Sequence, residues 1–147
     1  CHYNSNYKYN QINEIMREIR YRGIGIAERK WVFGSLWFDT RNKATLIWSE
    51  ELKYWVRVDP ATVGQYTGLK DEHGKEIYEG DVIRSPLSED KTRPHRIFYH
   101  TGNAAFMGAL VDRKELCYLR LDQDWIYKFG KEVIGNIHDN PELLKNE

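Results

Sequence analysis

The stretch VGQYTGLKDEHGKEIYEGDVI, residues 63–83, carries four glycines between short apolar groups. Asp71 and Gly74 suit the first and fourth positions of a type I turn, because an aspartate side chain caps the backbone there and glycine tolerates the exit geometry. Strand positions between the turns are supplied by Ile77, Tyr78, Val82 and Ile83. This density of turns predicts a folded corner of a β-structure. A ligand-binding loop is the alternative, since loops also carry function on rigid scaffolds.

Four side chains in this stretch can form hydrogen bonds and lie close together in the sequence. They are Gln65, Tyr66, Thr67 and Lys70. If the stretch is a binding loop, these residues are the candidates that would contact the ligand.

Upstream, period-2 patterns predict a meander of three strands. Residues 31–38 form the first strand, residues 44–49 return after a turn, and residues 54–58 follow before Pro60 ends the strand. Both faces of the first strand carry large apolar residues. We therefore expect both faces to be largely buried and the tryptophans to fill a core.

Downstream, further strands are predicted, and Asn140 before Pro141 predicts a short C-terminal helix. The predicted strands are residues 82–84, 97–100, 104–111, 116–121, 125–129 and 133–137. Residues 85–94 are polar and contain two prolines, which is typical of a loop.

The first fifteen residues differ from the rest of the chain. Residues 1–11 have almost no aliphatic content, whereas apolar side chains between Ile12 and Ile19 recur at helical spacing. We expect a short helix there that runs into a strand near Arg17. Residues 1–15 are predicted to be an arm or an extension, and residues 16–147 a single β domain.

Composition restricts the classes of partner and the cellular setting. Among 147 residues, 22 lysines and arginines balance 22 aspartates and glutamates, so no net charge attracts nucleic acid or anionic lipid. Two cysteines cannot build a disulfide framework, which favours a reducing bacterial cytoplasm. The longest apolar run, residues 104–111, is far shorter than a bilayer span, so no membrane partner is expected.

Sequence motifs indicate no catalytic set, no metal site and no cofactor. The five histidines lack paired metal-ligand spacing. Residues 68–76 resemble a phosphate loop only superficially, because five residues separate Gly68 from Gly74 and Glu76 follows Lys75. The sequence therefore does not predict an enzyme.

Two stretches, residues 17–30 and 84–96, hold more basic than acidic residues. Their candidate contacts to nucleic acid are Arg17, Arg20, Arg22, Arg84, Arg93 and Arg96. If folding merged these stretches with exposed tryptophans, the combination would suit a single-stranded nucleic acid. A solvated sheet face is the favoured interpretation, because strand arginines commonly have that role.

Three segments resemble the YopX family, small proteins carried mainly by bacteriophages and prophages. They are residues 63–83, the stretch MREIRYRG at 16–23, and EVIGNIHDNPELL at 132–144. The resemblance implies a fold of coiled, partly split antiparallel sheets with a barrel-like part. It implies no established activity and no functional residue. The first fifteen residues depart from the family's usual opening.

Together these features predict a phage or prophage accessory protein that acts by binding. A protein partner or self-association is the leading hypothesis, because the chain is neutral and rich in aromatic residues. A single-stranded nucleic-acid-binding protein is the second hypothesis. The third is an enzyme with a pocket near residues 63–83, which would require a concave site with convergent polar groups.

Overall fold

The computed structural model of the chain describes residues 17–86, 93–111 and 118–144. Within these ranges the chain forms eleven strands, one α-helix and three short 3₁₀ helices. The strands are β1 Tyr21–Ile24, β2 Trp31–Asp39, β3 Ala44–Ser49, β4 Trp55–Arg57, β5 Gly64–Lys70, β6 Glu76–Tyr78, β7 Asp81–Arg84, β8 His95–His100, β9 Ala105–Leu110, β10 Tyr118–Arg120 and β11 Glu132–Asn136. Helix α1 spans Gln123–Lys128, and the 3₁₀ helices span Pro60–Thr62, Thr101–Asn103 and Pro141–Leu144. The predicted mainly β fold is therefore confirmed.

The first sheet has six antiparallel strands in the order β4-β3-β2-β1-β5-β6, and it curls so that the end of β4 meets the end of β1. Val58, just after β4, forms a bridge with Gly25, just after β1, so the end strand returns to β1. The face inside this curl packs its own small core, centred on Val32, Ile47 and Val58. The predicted meander of three strands corresponds to β2, β3 and β4, and the sheet does not close into a barrel.

The second sheet has five antiparallel strands in the order β10-β9-β8-β7-β11. Its core also includes a residue of the first sheet and residues of α1 and the segment before it. The buried members are Ile77, Ile83, Ile97, Leu121 and Ile126. The glycine-rich stretch therefore supplies β5, β6 and β7, and it carries the chain from one sheet to the other.

The expectation that both faces of residues 31–38 are buried is wrong. Val32 and Gly34 of β2 are buried inside the curl, whereas Phe33 and Trp37 on the outer face are exposed. The difference arises from pairing between distant segments, because the curl of the sheet brings packing partners only to the inner face of β2. The tryptophans of this sheet therefore do not fill its core.

The strand predicted at residues 125–129 is also wrong, because α1 lies there. Asp122 Oδ1 accepts the backbone N–H of Trp125 at 2.8 Å and so caps the helix. Asp124 in the first turn and Lys128 in the last complement the helix dipole, and Ile126 is fully buried.

At the two ends of the chain the outcomes differ. The predicted C-terminal helix is present as a 3₁₀ helix that begins at Pro141. Residues 1–16, which include the whole predicted arm and most of the predicted N-terminal helix, lie outside the described residues. Residues 17–20 are not helical, and the carbonyl oxygen of Arg20 accepts the N–H of Tyr66 at 2.8 Å.

A buried ion pair joins the two sheets. Arg22 Nη2 of β1 lies 2.8 Å from Asp81 Oδ1 of β7, and both side chains are almost completely buried. The guanidinium lies between two aromatic rings, 4.5 Å from the centroid of Trp31 and 4.9 Å from that of Tyr78. Asp81 Oδ2 accepts the backbone N–H of Tyr78 at 2.8 Å. Four strands therefore meet at this one contact.

Replacing Asp81 with alanine is expected to lower the free energy of unfolding by about 3–5 kcal/mol, since it leaves a buried guanidinium without its counter-charge. Denaturant unfolding followed by tryptophan fluorescence measures the change. Glu51→Ala is the matched control, because Glu51 is exposed and its loss should change stability by less than about 0.5 kcal/mol. The double change Arg22→Met with Asp81→Leu should recover much of the loss, and a cost below about 1 kcal/mol for Asp81→Ala would contradict the role of the pair.

Candidate functional site

The glycine-rich stretch, residues 63–83, is held together by its own side chains. Asp71 is buried, and its carboxylate accepts the backbone N–H groups of His73, Lys75 and Val133 at 2.9 to 3.0 Å. Gly74 donates its N–H to the carbonyl of Asp71 at 3.0 Å and has a positive φ of 81°, as the predicted turn requires. A Cβ at Gly64 would lie 2.7 Å from the carbonyl oxygen of Glu79. The glycines and Asp71 therefore serve the fold directly.

The four candidate residues of the predicted binding loop lie along β5. Tyr66 and Thr67 are buried, and the Thr67 hydroxyl donates to the carbonyl of Ile77 at 2.8 Å. Gln65 is half-buried, and its backbone N–H donates to the Glu79 carboxylate at 2.9 Å. Lys70 is exposed, while its backbone is bridged by the Gln123 amide. The structure thus shows structural contacts for all four, and ligand binding by them stays a prediction.

A depression of about 370 Å³ lies beside this stretch. Three residues of the stretch, Lys75, Glu76 and Tyr78, line it together with residues from β1, β2, β11 and the segment after β11. Those additional residues are Arg22, Trp31, Phe33, Asn136 and Asp139. The sequence did not predict this grouping, because its members are separated by up to 117 positions and meet only through the sheet pairing.

The carboxylates of the depression are engaged by donors of the chain itself. Glu76 pairs with Arg20 and accepts the Tyr78 hydroxyl at 3.0 Å, and burial raises the pKa of Tyr78 above its usual value. Asp139 accepts Asn136 Nδ2 at 3.0 Å and Trp31 Nε1 at 2.8 Å, and these bonds lower the pKa of its carboxyl. These bonds connect segments that are distant in the sequence, Arg20 to Glu76 and Trp31 to Asp139.

Three tryptophans form a cluster on the outer face of the first sheet, which we call the tryptophan face. Trp37, Trp48 and Trp55 come from β2, β3 and β4 and remain 48%, 36% and 43% exposed. The ring centroids of Trp37 and Trp55 are 5.5 Å apart in a tilted arrangement, and those of Trp48 and Trp55 are 5.6 Å apart in an edge-to-face arrangement. Strand register adds Leu46 and Arg57 to the same face. The alternation in the sequence indicated a shared face but not its exposure.

The six candidate arginines are divided between the two sheets. Arg20 and Arg22 on the first sheet are held in ion pairs, Arg20 with Glu18, Glu50 and Glu76 and Arg22 with Asp81. On the second sheet, Arg84 lies opposite Glu132, and the guanidinium of Arg96 lies 5.3 Å from the ring centroid of Phe98. Arg93 is half-buried beside His95 and Lys131, and Arg17 is exposed at the start of the described residues. Arg20 and Arg22 therefore already form ion pairs within the chain.

Across residues 17–86, 93–111 and 118–144, no group of three histidine, cysteine, aspartate or glutamate side chains is arranged to hold a metal ion. The helices in those ranges are too short and too polar to cross a membrane.

Comparison with known proteins gives one family and a structural neighbour. The family model described as YopX protein matches residues 5–145. The crystal structure of protein EF1440 from Enterococcus faecalis is similar, with a TM-score of 0.58 and 26% sequence identity. That match covers 88% of this chain and 100% of the other. No curated protein matches the chain significantly.

The bonds of Asp71 generate a stability prediction. Asp71→Ala should lower the free energy of unfolding by about 3 kcal/mol, because three backbone N–H groups lose their charged acceptor. Asp71→Asn should cost less, since it keeps one acceptor oxygen. Thermal and urea unfolding of both variants measure the losses, with exposed Glu72→Ala as the neighbouring control. Equal stability of Asp71→Ala and Glu72→Ala would show that the stretch does not depend on this carboxylate.

Proposed function

The chain belongs to the YopX protein family, and from that premise we propose that it is a phage or prophage accessory protein that acts by binding. The proposed partner is a protein, either a different one or a second copy of this chain. The bacterial cytoplasm is the proposed setting, which the low cysteine content supports.

The tryptophan face is the observation that supports this proposal. Three indole rings stand partly exposed on one face of an antiparallel sheet, and the Trp55 ring lies within 5.6 Å of each of the other two. Burying such a cluster against a partner removes a large apolar area from water, at about 25 cal/mol per Å². Tryptophan and arginine are also the residues that contribute most to binding energy at protein interfaces. Arg57 beside Trp55 supplies the second of these types.

Charge favours a protein over a nucleic acid as the partner. The chain has no net charge, and two of the six candidate arginines, Arg20 and Arg22, already pair with carboxylates. Strong binding to phosphates needs cations that can release counterions from the backbone. The tilted and edge-to-face contacts of Trp55 with the other two indoles also reduce the ring area on which a base could stack.

A single-stranded nucleic acid is the second candidate, because exposed aromatic rings on a sheet are the usual stacking platform for bases. The enzyme hypothesis has weaker support. The depression near residues 63–83 is concave, but its carboxylates are taken up by bonds within the chain.

Replacing Trp37 and Trp48 together with alanine should weaken association at least tenfold while leaving the fold intact, since both rings are exposed. Sedimentation equilibrium of the full chain measures self-association first. If the wild type is a monomer at high concentration, chemical cross-linking in bacterial extract, compared between wild type and variant, tests for a different protein partner. Phe38→Ala is the control, because Phe38 is an exposed aromatic residue of β2 outside the cluster.

The same samples decide between the two partner classes. Fluorescence anisotropy with a labelled 20-nucleotide oligo(dT) at low salt should show no binding. A shift that salt reduces and that the tryptophan variant abolishes would favour nucleic acid instead. The absence of self-association and of any partner lost in the variant would overturn the protein-binding proposal.

A further inference from the structure

A cleft of about 430 Å³ opens where the curl of the first sheet stops. One wall is the loop after β1, around Ile26 and Lys30, and the other is β4 with the turn before it. The two walls are joined at one end, where the N–H of Ile26 donates to the carbonyl of Arg57 at 3.0 Å. Beyond that bond the loop leaves the ladder.

The edge of β4 in this cleft has backbone groups directed away from β3. The N–H of Ser49 bonds to Tyr54 and that of Val58 bonds to Thr45, so hydrogen-bonded pairs with β3 alternate along β4. Trp55 and Arg57 fall at the positions between them, and their N–H and C=O groups point to the opposite edge. Of these outward-directed groups, the carbonyl of Arg57 accepts the N–H of Ile26. The N–H and C=O of Trp55 have no bonding partner among the described residues.

Apolar side chains dominate the lining of the cleft. The larger ones are Ile26, Trp31, Val32, Leu52, Tyr54, Trp55 and Val56. Four of them, Ile26, Leu52, Tyr54 and Trp55, rank among the exposed large hydrophobic residues of the described chain. The volume is in the range of pockets that bind a ligand or a large side chain.

We propose that this cleft binds an extended segment of a partner protein, which adds a strand to the edge of β4 and inserts an apolar side chain between Ile26 and Leu52. The inference rests on the proposed function, because it names the form in which a protein partner is recognised. Unpaired backbone groups at strand spacing specify another strand, since only an extended backbone presents a complementary donor and acceptor. The partner segment continues the ladder that the loop abandons after Ile26.

The charges along the cleft give this segment a direction. Arg57 lies at the closed end, beside Ile26, whereas Glu51 lies in the turn at the other end of β4. Both side chains are exposed. A segment with an acidic residue near Arg57 and a basic residue near Glu51 is complementary to the cleft. Glu28 and Lys30 on the opposite wall offer one charge of each sign to the same segment.

A yeast-displayed library of random twelve-residue linear peptides, sorted on the full-length chain, tests this proposal. Sorting should enrich peptides with an apolar residue between an acidic and a basic one. Ile26→Lys should weaken the best peptide at least tenfold in fluorescence anisotropy, because it places a charge in the cleft without removing a core side chain. Leu52→Lys repeats the test from the other wall in case the first variant folds poorly. Phe38→Lys, the same kind of change at an exposed residue outside the cleft, should leave binding unchanged.

N-methylation of the peptide backbone, one amide at a time, separates strand pairing from side-chain docking. At least one methyl group should weaken binding tenfold or more, because it removes the donor to the Trp55 carbonyl. If no peptide is enriched on the wild type over Ile26→Lys, or if every N-methyl peptide binds normally, the proposal is overturned. If the peptide tests fail but the Trp37 and Trp48 variant loses partner association, the proposed function stands and only the cleft is rejected. If the peptide tests succeed but the Trp37 and Trp48 variant associates normally, the cleft is retained and the tryptophan face is rejected.

Discussion

The buried contact between Arg22 and Asp81 is the constraint on which the arrangement of the two sheets depends. It connects β1 to β7 and places the guanidinium between rings from β2 and β6. Burial raises the pKa of Asp81 in spite of its cationic partner, so the pair carries a desolvation cost. We therefore infer that the ion pair fixes the position of β1 relative to β7, because each buried charge is tolerated only next to the other.

The curl of the first sheet determines which of its residues reach solvent. Because the bridge between Gly25 and Val58 turns the sheet back on itself, Val32, Ile47 and Val58 find one another on the inside. Trp37, Trp48 and Trp55, on the opposite face, pack against one another and stay partly exposed. The pairing between the segment after β1 and β4 ends at Ile26, and the rest of the β4 edge stays open. The tryptophan face and the cleft at β4 therefore both result from the incomplete closure of the first sheet at the bridge between Gly25 and Val58.

Strand β4 links these surfaces through a single residue. The ring of Trp55 packs between those of Trp37 and Trp48, while its backbone N–H and C=O lie along the cleft. With three residues, β4 is among the shortest strands of the sheet, and short edge strands limit unwanted pairing. The open edge is also flanked by Arg57 and Glu51, and charges beside an edge discourage nonspecific association. Recognition at β4 therefore depends on the side-chain pocket as well as on the backbone.

The sequence was sufficient for the elements that local patterns control and insufficient for the contacts between distant segments. Alternation and turn residues correctly predicted the meander of β2 to β4 and the Asp71 turn, since each depends on neighbours only a few positions away. Helix α1 was missed because a six-residue helix with one buried side chain has too short a period to distinguish from a strand, although its Asp122 cap was visible. The exposure of Trp37, Trp48 and Trp55 could not be read from alternation, because β2 carries large apolar residues at both parities. Which parity faces a core is decided by the bridge between Gly25 and Val58, thirty-three positions apart, and no local pattern encodes that pairing.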